Sequence, residues 1–193
     1  MDGDHLARNK PASFSEMEID TIGELLNISM GAASTSLSEI LGQRVSITTP
    51  RVRVLHSSEI QIEAYEPAIG VEINYEKGLT GKNIMVLKES DVQVILGILM
   101  QTDQYKTNFV MDEIAVGAIC EIMNQMMGAS ATALSQLLAM PIIISPPTSF
   151  SIDSEKVQSK GFLPEGDTVM TAFHLNVGDQ IDSDFIYLMS VEL

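Results

Sequence analysis

The sequence predicts an α+β fold made of two copies of one unit, in which a long helix is followed by short strands. Three observations support this fold class. Apolar residues recur at steps of three and four near the N-terminus, which is typical of a helix with one buried face. Runs rich in β-branched residues follow that stretch. A segment that contains the helix and its first strand then recurs later in the chain.

The first element is a long helix. Residues 1–13 are polar and predict a loose tail, so we expect one domain over residues 14–193. Ser15 with Glu18 three positions later fits a capping box, and Gly42 is suited to end the helix. The apolar stripe comprises Ile19, Ile22, Leu26, Met30, Ala33, Leu37 and Leu41.

Strands and a second helix are predicted next. The strand candidates of the first copy are Arg44–Thr49 with a continuation at Val52–Leu55, Ala68–Tyr75 and Asn83–Leu87. A helix over Asp91–Met100 follows them, and residues 101–110 are expected to form a connector.

The second copy begins with a third helix, predicted from a cap at Asp112 to about Ala139. Three strand candidates complete the chain: Ile142–Ser145, Thr168–Val177 and Asp184–Val191. Residues 153–166 contain Gly and Pro between polar residues and predict a loop.

The repeat is the most informative feature. Residues 24–50 align without gaps to residues 121–147 at a constant offset of 97, and 11 of the 27 positions are identical. We therefore expect internal repeats over about 14–105 and 106–193. Two copies are too few for a solenoid, so they predict one domain with pseudo-two-fold symmetry.

Much of the identity between the copies lies on the polar side of the helix. That side is formed by Asp20, Glu24, Asn27, Gly31, Ser34, Thr35 and Ser38 in the first copy, and by Gly117, Glu121, Asn124, Gly128, Ala131, Thr132 and Ser135 in the second. Steps of three and four place each set on one face. Glu and Asn on a helix surface are usually just solvated, and Gly costs about 1 kcal/mol in a helix interior. Two copies with the same unfavourable residues favour a functional face.

Composition excludes several function classes. The formal net charge of −15 makes nucleic-acid binding unexpected, because an acidic surface repels phosphates. No apolar run approaches the roughly 20 residues of a membrane-spanning helix, so insertion is not expected. The N-terminus lacks the apolar stretch of a signal peptide, which favours the cytoplasm. The single cysteine, Cys120, excludes a disulfide framework and a cysteine-based zinc site.

No constellation of a self-sufficient hydrolase is visible. His56 and His174 lack partners at a recognisable spacing and are interpreted as surface or strand residues, and Cys120 as a small core residue. There is no P-loop, EF-hand or His-Glu metal spacing. We therefore expect no metal and no cofactor of the chain's own.

The spacing Asp-x3-Glu-x2-Asn-x22-Pro resembles the motif of the CheC/FliY/CheX family of chemotaxis phosphatases. It reads Asp20, Glu24, Asn27 and Pro50 in the first copy. In the second copy it reads Gly117, Glu121, Asn124 and Pro147, so only its first position departs from the family pattern. The stretches FSEMEIDTIGE, VEINYEKGLTG, EIMNQMMGASATALS and NVGDQIDS are most similar to the CheC-like domain of the FliY branch.

The resemblance covers nearly the whole chain and implies the rest of the architecture. Strands of both copies are expected to join one sheet, with the two motif helices packed on one face. FliY proteins usually add an N-terminal regulator-binding peptide and a C-terminal FliN-like domain, neither of which is visible. The resemblance leaves open a stand-alone CheC-like protein or the phosphatase portion of a longer FliY.

The resemblance also implies an activity, which is hydrolysis of the aspartyl phosphate on the response regulator CheY. Asn27 and Asn124 are implied to position the attacking water, and Glu24 and Glu121 to pair with a regulator lysine. Asp20, Gly31 and Gly128 are expected partner contacts. Pro50 and Pro147 are interpreted as shaping a strand end beside each site. The regulator is expected to supply Mg²⁺.

Two further expectations concern partners and function. The flagellar switch proteins FliM and FliG and the activator CheD are additional candidate partners, with peripheral attachment to the flagellar basal body. The alternative function is a non-catalytic scaffold like the FliM middle domain, which is related in fold but lacks the Glu/Asn pairs. A generic acidic binding domain outside chemotaxis is a third reading.

Overall fold

A computed structural model describes residues 14–102, 109–153, 162–163 and 166–190. The predicted tail over residues 1–13 and the predicted boundary between the repeats near residue 105 lie outside this range. Most of the predicted connector and most of the predicted loop over residues 153–166 lie outside it as well.

The described residues form three helices, namely α1 (Glu16–Leu41), α2 (Glu89–Met100) and α3 (Glu113–Leu138). The capping box predicted for α1 is confirmed. The Ser15 hydroxyl accepts the backbone N–H of Glu18 at 3.3 Å, and the Glu18 carboxylate accepts the backbone N–H of Ser15 at 2.8 Å. Gly42 ends α1 in the left-handed conformation, with φ of 62°. Asp112 caps α3, because its side chain accepts the backbone N–H of Ala115 at 2.8 Å.

In the part of the chain that the structure describes, seven strands form one antiparallel sheet. They are β1 (Val45–His56), β2 (Ala68–Lys77), β3 (Lys82–Lys88), β4 (Ile143–Ile144), β5 (Thr148–Ile152), β6 (Asp167–Val177) and β7 (Ile181–Ser190). The strand order is β1-β6-β7-β3-β2-β4. Strand β5 also pairs with β2, along residues 68–72, whereas β4 pairs with Tyr75 and Lys77.

The sheet is shared between the two copies. The pairs β2–β3 and β6–β7 join neighbours within one copy. The pairs β1–β6, β3–β7, β2–β4 and β2–β5 join strands of different copies. The predicted α+β fold, with strands of both copies in one sheet, is confirmed.

The helices pack on one face of the sheet. The apolar stripes of α1, α2 and α3 share a core with alternate residues of β1, β2, β3, β6 and β7. A second, smaller core covers the opposite face, where Ile60 and Ile62 pack with residues such as Ile84, Ile186 and Leu188. Because α1 and α3 also pack against each other, their polar sides face away from the sheet on the same side of the molecule.

The structure differs from the predicted elements at several boundaries. Strand β1 is continuous through Pro50, and its register against β6 shifts between Thr48 and Arg51 to accommodate the break. Helix α2 begins at Glu89 rather than Asp91. Strand β7 begins at Ile181 rather than Asp184, directly after a short turn.

One strand was not predicted. Strand β5 has the sequence TSFSI and follows two prolines, so its polar residues resemble a loop. It forms because its backbone pairs with β2 and because the ring of Phe150 lies against Gly70. A side chain at Gly70 would collide with that ring.

Candidate functional site

The first set of candidate residues lies on the exposed side of α1. Asp20, Glu24 and Asn27 are all exposed, and steps of four and three residues align them along the helix. Leu26 and Met30, by contrast, are almost fully buried against the sheet. The helix therefore presents a carboxylate, a second carboxylate and an amide to solvent on a rigid support.

Helix α3 presents the equivalent set. Gly117, Glu121 and Asn124 are exposed, as their counterparts on α1 are. The predicted exposed face is therefore found for these residues in both copies. Ala131, which was predicted on the same face of α3, is instead buried with Leu134 and Ile142. Because α1 and α3 pack against each other with their polar sides away from the sheet, the two Glu/Asn pairs lie on the same side of the molecule.

The glycines that follow each pair are not required by the fold. A Cβ atom added at Gly31 or Gly128 would meet no other atom within 4 Å. The next turn is also alike in both copies, since Thr35 donates its hydroxyl to the Gly31 carbonyl at 3.0 Å and Thr132 donates to Gly128 at 2.9 Å. Both helices thus keep a bare stretch of backbone that faces solvent, one turn beyond the Asn.

A recess opens beside the Glu/Asn pair of the first copy. Its volume is about 400 Å³, and it is lined by Ile19, Asp20, Gly23, Glu24, Asn27, Pro50 and Val52. Pro50 therefore lies beside this site, as predicted, although it is inside a strand rather than at its end. Gly23 lines the recess, and an added Cβ there would make an ordinary van der Waals contact with the Val52 side chain at 3.6 Å.

The same region of the second copy is built differently. Cys120 and Ser149 occupy the positions equivalent to Gly23 and Val52, and their Sγ and Oγ atoms are 3.5 Å apart. The Cys120 side chain is only partly buried and lies outside the core clusters, so the prediction of a small core residue is not met in full. Pro147 is buried. The thiol thus fills space that Gly23 leaves open in the first copy.

Glu121 also has a neighbour that Glu24 lacks. The Gln125 amide donates a hydrogen bond to the Glu121 carboxylate at 2.7 Å. The equivalent position on α1 is Ile28, which is 47% exposed. Among the described residues, no hydrogen bond or ion pair to the Glu24 side chain is found. Gln125, Gly23 and Cys120 were not among the predicted site residues, although comparing the copies position by position would have singled them out.

His56 and His174 are exposed strand residues, as predicted. His174 on β6 does have partners, because its Nδ1 lies 2.8 Å from Asp184 and its Nε2 lies 2.7 Å from Asp182, both on β7. Asp182 and Asp184 are the second and fourth residues of β7, which runs back along β6 after a short turn, and sequence spacing did not reveal this pairing. The hydrogen bond with Asp184 raises the pKa of His174 above its usual value. His56 is exposed and contacts Ser58.

Two further kinds of feature are absent from the described part of the chain. No group of three or more His, Cys, Asp or Glu side chains there is arranged to hold a metal ion. No helix over those residues is long and apolar enough to cross a membrane.

Comparison with known families gives one match, and it falls on the two motif helices. The model of the CheC-like family matches residues 17–54 and 117–151. These two segments contain both Glu/Asn pairs and both prolines of the repeated motif.

Two relatives are similar over nearly the whole chain. The flagellar motor switch phosphatase FliY of Bacillus subtilis (strain 168) is 39% identical over 175 residues, which are 90% of this chain and 46% of that protein. The chain thus spans about half the length of this curated relative. The crystal structure of Thermotoga maritima FliY is 33% identical, covers 93% of both chains and superposes with a TM-score of 0.81.

A more distant similarity concerns the fold alone. The FliM middle domain from H. pylori has a TM-score of 0.67 over 91% of this chain and 92% of that chain, but only 12% identity. The predicted similarity in fold to the FliM middle domain is therefore confirmed, and at this identity it concerns the fold alone.

Proposed function

Because this chain belongs to the CheC-like family, we propose that it is a phosphatase that accelerates hydrolysis of the aspartyl phosphate on a CheY-type response regulator. The observation that carries this proposal is the pair of Glu and Asn side chains exposed on each of two packed helices, Glu24 with Asn27 and Glu121 with Asn124. The regulator brings the phosphoryl group and its own Mg²⁺. The phosphatase then has only to position water and align the partner.

Asn27 and Asn124 are the proposed water-positioning residues. A side-chain amide carries both an acceptor and a donor, so it can hold a water molecule in one orientation. Positioning such a water in line with phosphorus is the task that a glutamine performs in some GTPases. A helix holds the amide more firmly than a loop does. Both Asn side chains are exposed, and within the described part of the chain neither has a hydrogen bond to another residue.

Glu24 and Glu121 are the proposed docking residues. Each carboxylate lies one helical turn before its Asn, so it can pair with an active-site lysine of the regulator while the Asn reaches the phosphoryl group. Asp20 adds a second carboxylate to the first site. The bare backbone at Gly31 and Gly128 lets the partner approach closely.

The flagellar switch is the proposed location. The Bacillus subtilis relative is named a flagellar motor switch phosphatase, which supports a cytoplasmic protein attached peripherally at the flagellar basal body. FliM, FliG and the activator CheD are the candidate partners for that attachment or its regulation. Co-purification with each of these proteins tests this part of the proposal separately from the activity.

The activity is tested by following phosphate loss from a phosphorylated cognate CheY in the presence of Mg²⁺. We expect an acceleration of roughly 10²–10⁴-fold over the regulator's own hydrolysis, the range of positioned-water and proton-transfer effects. The variant with both Asn27→Ala and Asn124→Ala is expected to lose nearly all of it. The variant with both Glu24→Ala and Glu121→Ala is expected to bind the regulator more weakly.

Glu39→Ala with Gln136→Ala is the matched control. These two positions are equivalent in the repeat and exposed on the same helices, but lie outside the motif. Circular dichroism verifies that each variant is folded. A folded double Asn variant that keeps full activity would contradict the mechanism. An unmodified protein that binds CheY without accelerating phosphate loss would favour the scaffold alternative.

A further inference from the structure

Strand β1 lies at an edge of the sheet and carries an unusual share of the chain's arginines. Its only strand neighbour in the described sheet is β6. The chain contains four arginines, and three of them, Arg44, Arg51 and Arg53, lie on β1 or directly before it. No Asp or Glu occurs between Glu39 and Glu59. In a chain with a formal net charge of −15, this edge is therefore a basic surface.

The backbone of β1 has open hydrogen-bonding groups along its outer edge. The Ser57 N–H donates to the Gly166 carbonyl at 3.0 Å, which extends the β1–β6 ladder by one bond. Because residues of an antiparallel strand alternate between bonding to one side and to the other, this bond directs the N–H and C=O of Val52 and Val54 away from β6. Within the described part of the chain, these four groups have no hydrogen-bond partner.

The side chains of Arg51 and Arg53 lie on the sheet face opposite the helices. Their partners in β6 are Ala172 and Met170, which pack on the second core. Both arginines are exposed, and among the described residues neither guanidinium group has a hydrogen bond or an ion pair. They alternate with the residues that bond outward, and at such positions the side chains of adjacent strands approach most closely. An added strand would therefore set its side chains directly against both guanidinium groups.

The carboxylates on the same sheet face do not neutralise these arginines. Arg51 lines a surface pocket together with His174 and Asp184. However, the Asp184 carboxylate contacts Nδ1 of His174 at 2.8 Å, and Asp182 contacts Nε2 of the same ring at 2.7 Å. The histidine thus holds both carboxylates, and the guanidinium group of Arg51 is available to a ligand.

We propose that this half of β1 is a docking edge for an extended acidic segment of a partner protein, which adds a strand to the sheet. The backbone of Val52 and Val54 holds the segment, and its alternate carboxylates pair with Arg51 and Arg53. Arginine matches a carboxylate with two parallel N–H groups, whereas edges that are only protected from pairing carry lysine above all. This inference goes beyond the proposed phosphatase function and does not rest on it.

A second copy of the chain is a poorer occupant of this edge. In a symmetric antiparallel pair that bonds Val52 of one copy to Val54 of the other, the two Arg53 side chains are directly opposite each other. Like charges at directly opposite positions destabilise a pair of strands. The edge therefore favours a partner of the opposite charge.

The first experiment measures the binding of synthetic peptides to the full chain by fluorescence anisotropy. The probe is a labelled eight-residue peptide in which glutamate alternates with valine, and the comparison peptide has glutamine in place of each glutamate. We expect the glutamate peptide to bind about twofold to thirtyfold more tightly, which is the range for two cross-strand charge pairs. This preference should shrink in high salt, because exposed charges are screened.

The second experiment removes the two charges. The variant with both Arg51→Gln and Arg53→Gln is expected to lose the preference for the glutamate peptide and to bind the glutamine peptide as before. Arg44→Gln is the matched control and should leave the preference unchanged. Arg44 lies outside the open edge, because the N–H of the next residue, Val45, already donates to the Ser38 hydroxyl at 3.0 Å.

The third experiment tests whether the peptide adds as a strand. Hydrogen exchange of the Val52 and Val54 amides is expected to slow when the glutamate peptide binds, because both N–H groups gain an acceptor. Val54→Pro removes one of these donors, which points away from β6, and an edge strand tolerates proline at such a position. This variant should therefore keep its circular dichroism spectrum and lose peptide binding.

Several outcomes would overturn the inference. Equal affinity for the two peptides, or no binding of either, would mean that the arginines only protect the edge. Binding that leaves the exchange of the Val52 and Val54 amides unchanged would indicate diffuse attraction instead of strand addition. A dimer of the unmodified protein that dissociates on Val54→Pro, measured by analytical ultracentrifugation, would make a second copy the occupant.

Discussion

Glycine is the least expected residue type on the exposed sides of α1 and α3. A glycine in a helix interior costs about 0.5–1 kcal/mol relative to alanine. The usual structural reason for accepting that cost is a close neighbour, but an added Cβ at Gly31 or Gly128 would meet nothing. Under the proposed function, we expect these glycines to serve a partner that approaches the helix backbone.

Gly31→Ala and Gly128→Ala are therefore expected to stabilise the protein and weaken its activity. Each substitution should raise the free energy of unfolding by about 0.5–1 kcal/mol, because alanine favours the helix. The pair together should lower kcat/KM on phosphorylated CheY by about fivefold or more, since an extra methyl group in a packed contact costs about 1–3 kcal/mol. Urea unfolding and the phosphate-release assay measure the two effects on the same samples.

Glu39→Ala serves as the control for this prediction, because it changes an exposed position of α1 far along the helix from Asn27. It should leave kcat/KM unchanged. Unaltered activity in the doubly substituted protein would mean that no partner backbone or side chain closes on these glycines.

Among the elements, the long helices were the most predictable from sequence. Their periodicity, the capping box at Ser15 and the terminal Gly42 are local signals, and the structure places both ends as they indicate. The exposed face with Glu24 and Asn27 follows from the same periodicity. Strand β5 could not be predicted in this way, because its formation depends on the distant strand β2 and on the space at Gly70.

The differences between the two sites are a second limit of sequence reasoning. The offset of 97 pairs Ile28 with Gln125 and Gly23 with Cys120. Only the structure shows that Gln125 contacts Glu121 and that Cys120 contacts Ser149. Side-chain contacts depend on rotamers and on neighbouring strands, which a repeat alignment does not encode.

The pairing of β6 with β7 contains a group that makes stability depend on pH. The His174 side chain lies between Asp182 and Asp184 and is about half exposed. Arg51 on β1 lines the same surface pocket as His174 and Asp184. The hydrogen bond with Asp184 is the first cause of the raised pKa of His174. The folded state therefore holds the His174 proton more tightly than the unfolded state does. The resulting contribution to the free energy of unfolding is fully present below the usual histidine pKa of about 6.5, and it is lost as the pH rises through the raised pKa.

His174→Gln is therefore expected to lower the melting temperature more at pH 5.5 than at pH 8.5. The contribution should not exceed about 1 kcal/mol and should shrink in salt, because the pair is exposed to solvent. Asp184→Asn removes the main partner and is expected to reduce the pH-dependent difference in the same way. Thermal unfolding at the two pH values, at low and high salt, measures it. A His174→Gln effect that grows toward high pH would contradict the assignment.

For the whole molecule, the pattern of strand pairing decides whether the two copies are independent. Strand β1 pairs with β6 of the other copy from Val45–Val177 to His56–Asp167, and the described sheet gives it no other strand neighbour. The central contact of the sheet, β3 with β7, also joins the copies. Each copy alone would keep one two-stranded hairpin, which is marginally stable in water.

We therefore predict that neither residues 1–105 nor residues 106–193 fold alone, and that the two fragments form a cooperative domain when combined. An isolated first copy would expose the edge of β3 and the side of α1 that packs on α3. The apolar surface that it could still bury would not compensate for the conformational entropy lost when its chain is ordered.

The control is the full chain with a protease site inserted between residues 105 and 106. This protein should keep one unfolding transition after cleavage, because the shared sheet holds the two pieces together. Thermal unfolding by circular dichroism and size-exclusion chromatography report on folding and association. A monomeric fragment 1–105 with its own cooperative unfolding transition would contradict this prediction. The two copies would then be separate domains that fold independently and afterwards associate through the shared sheet.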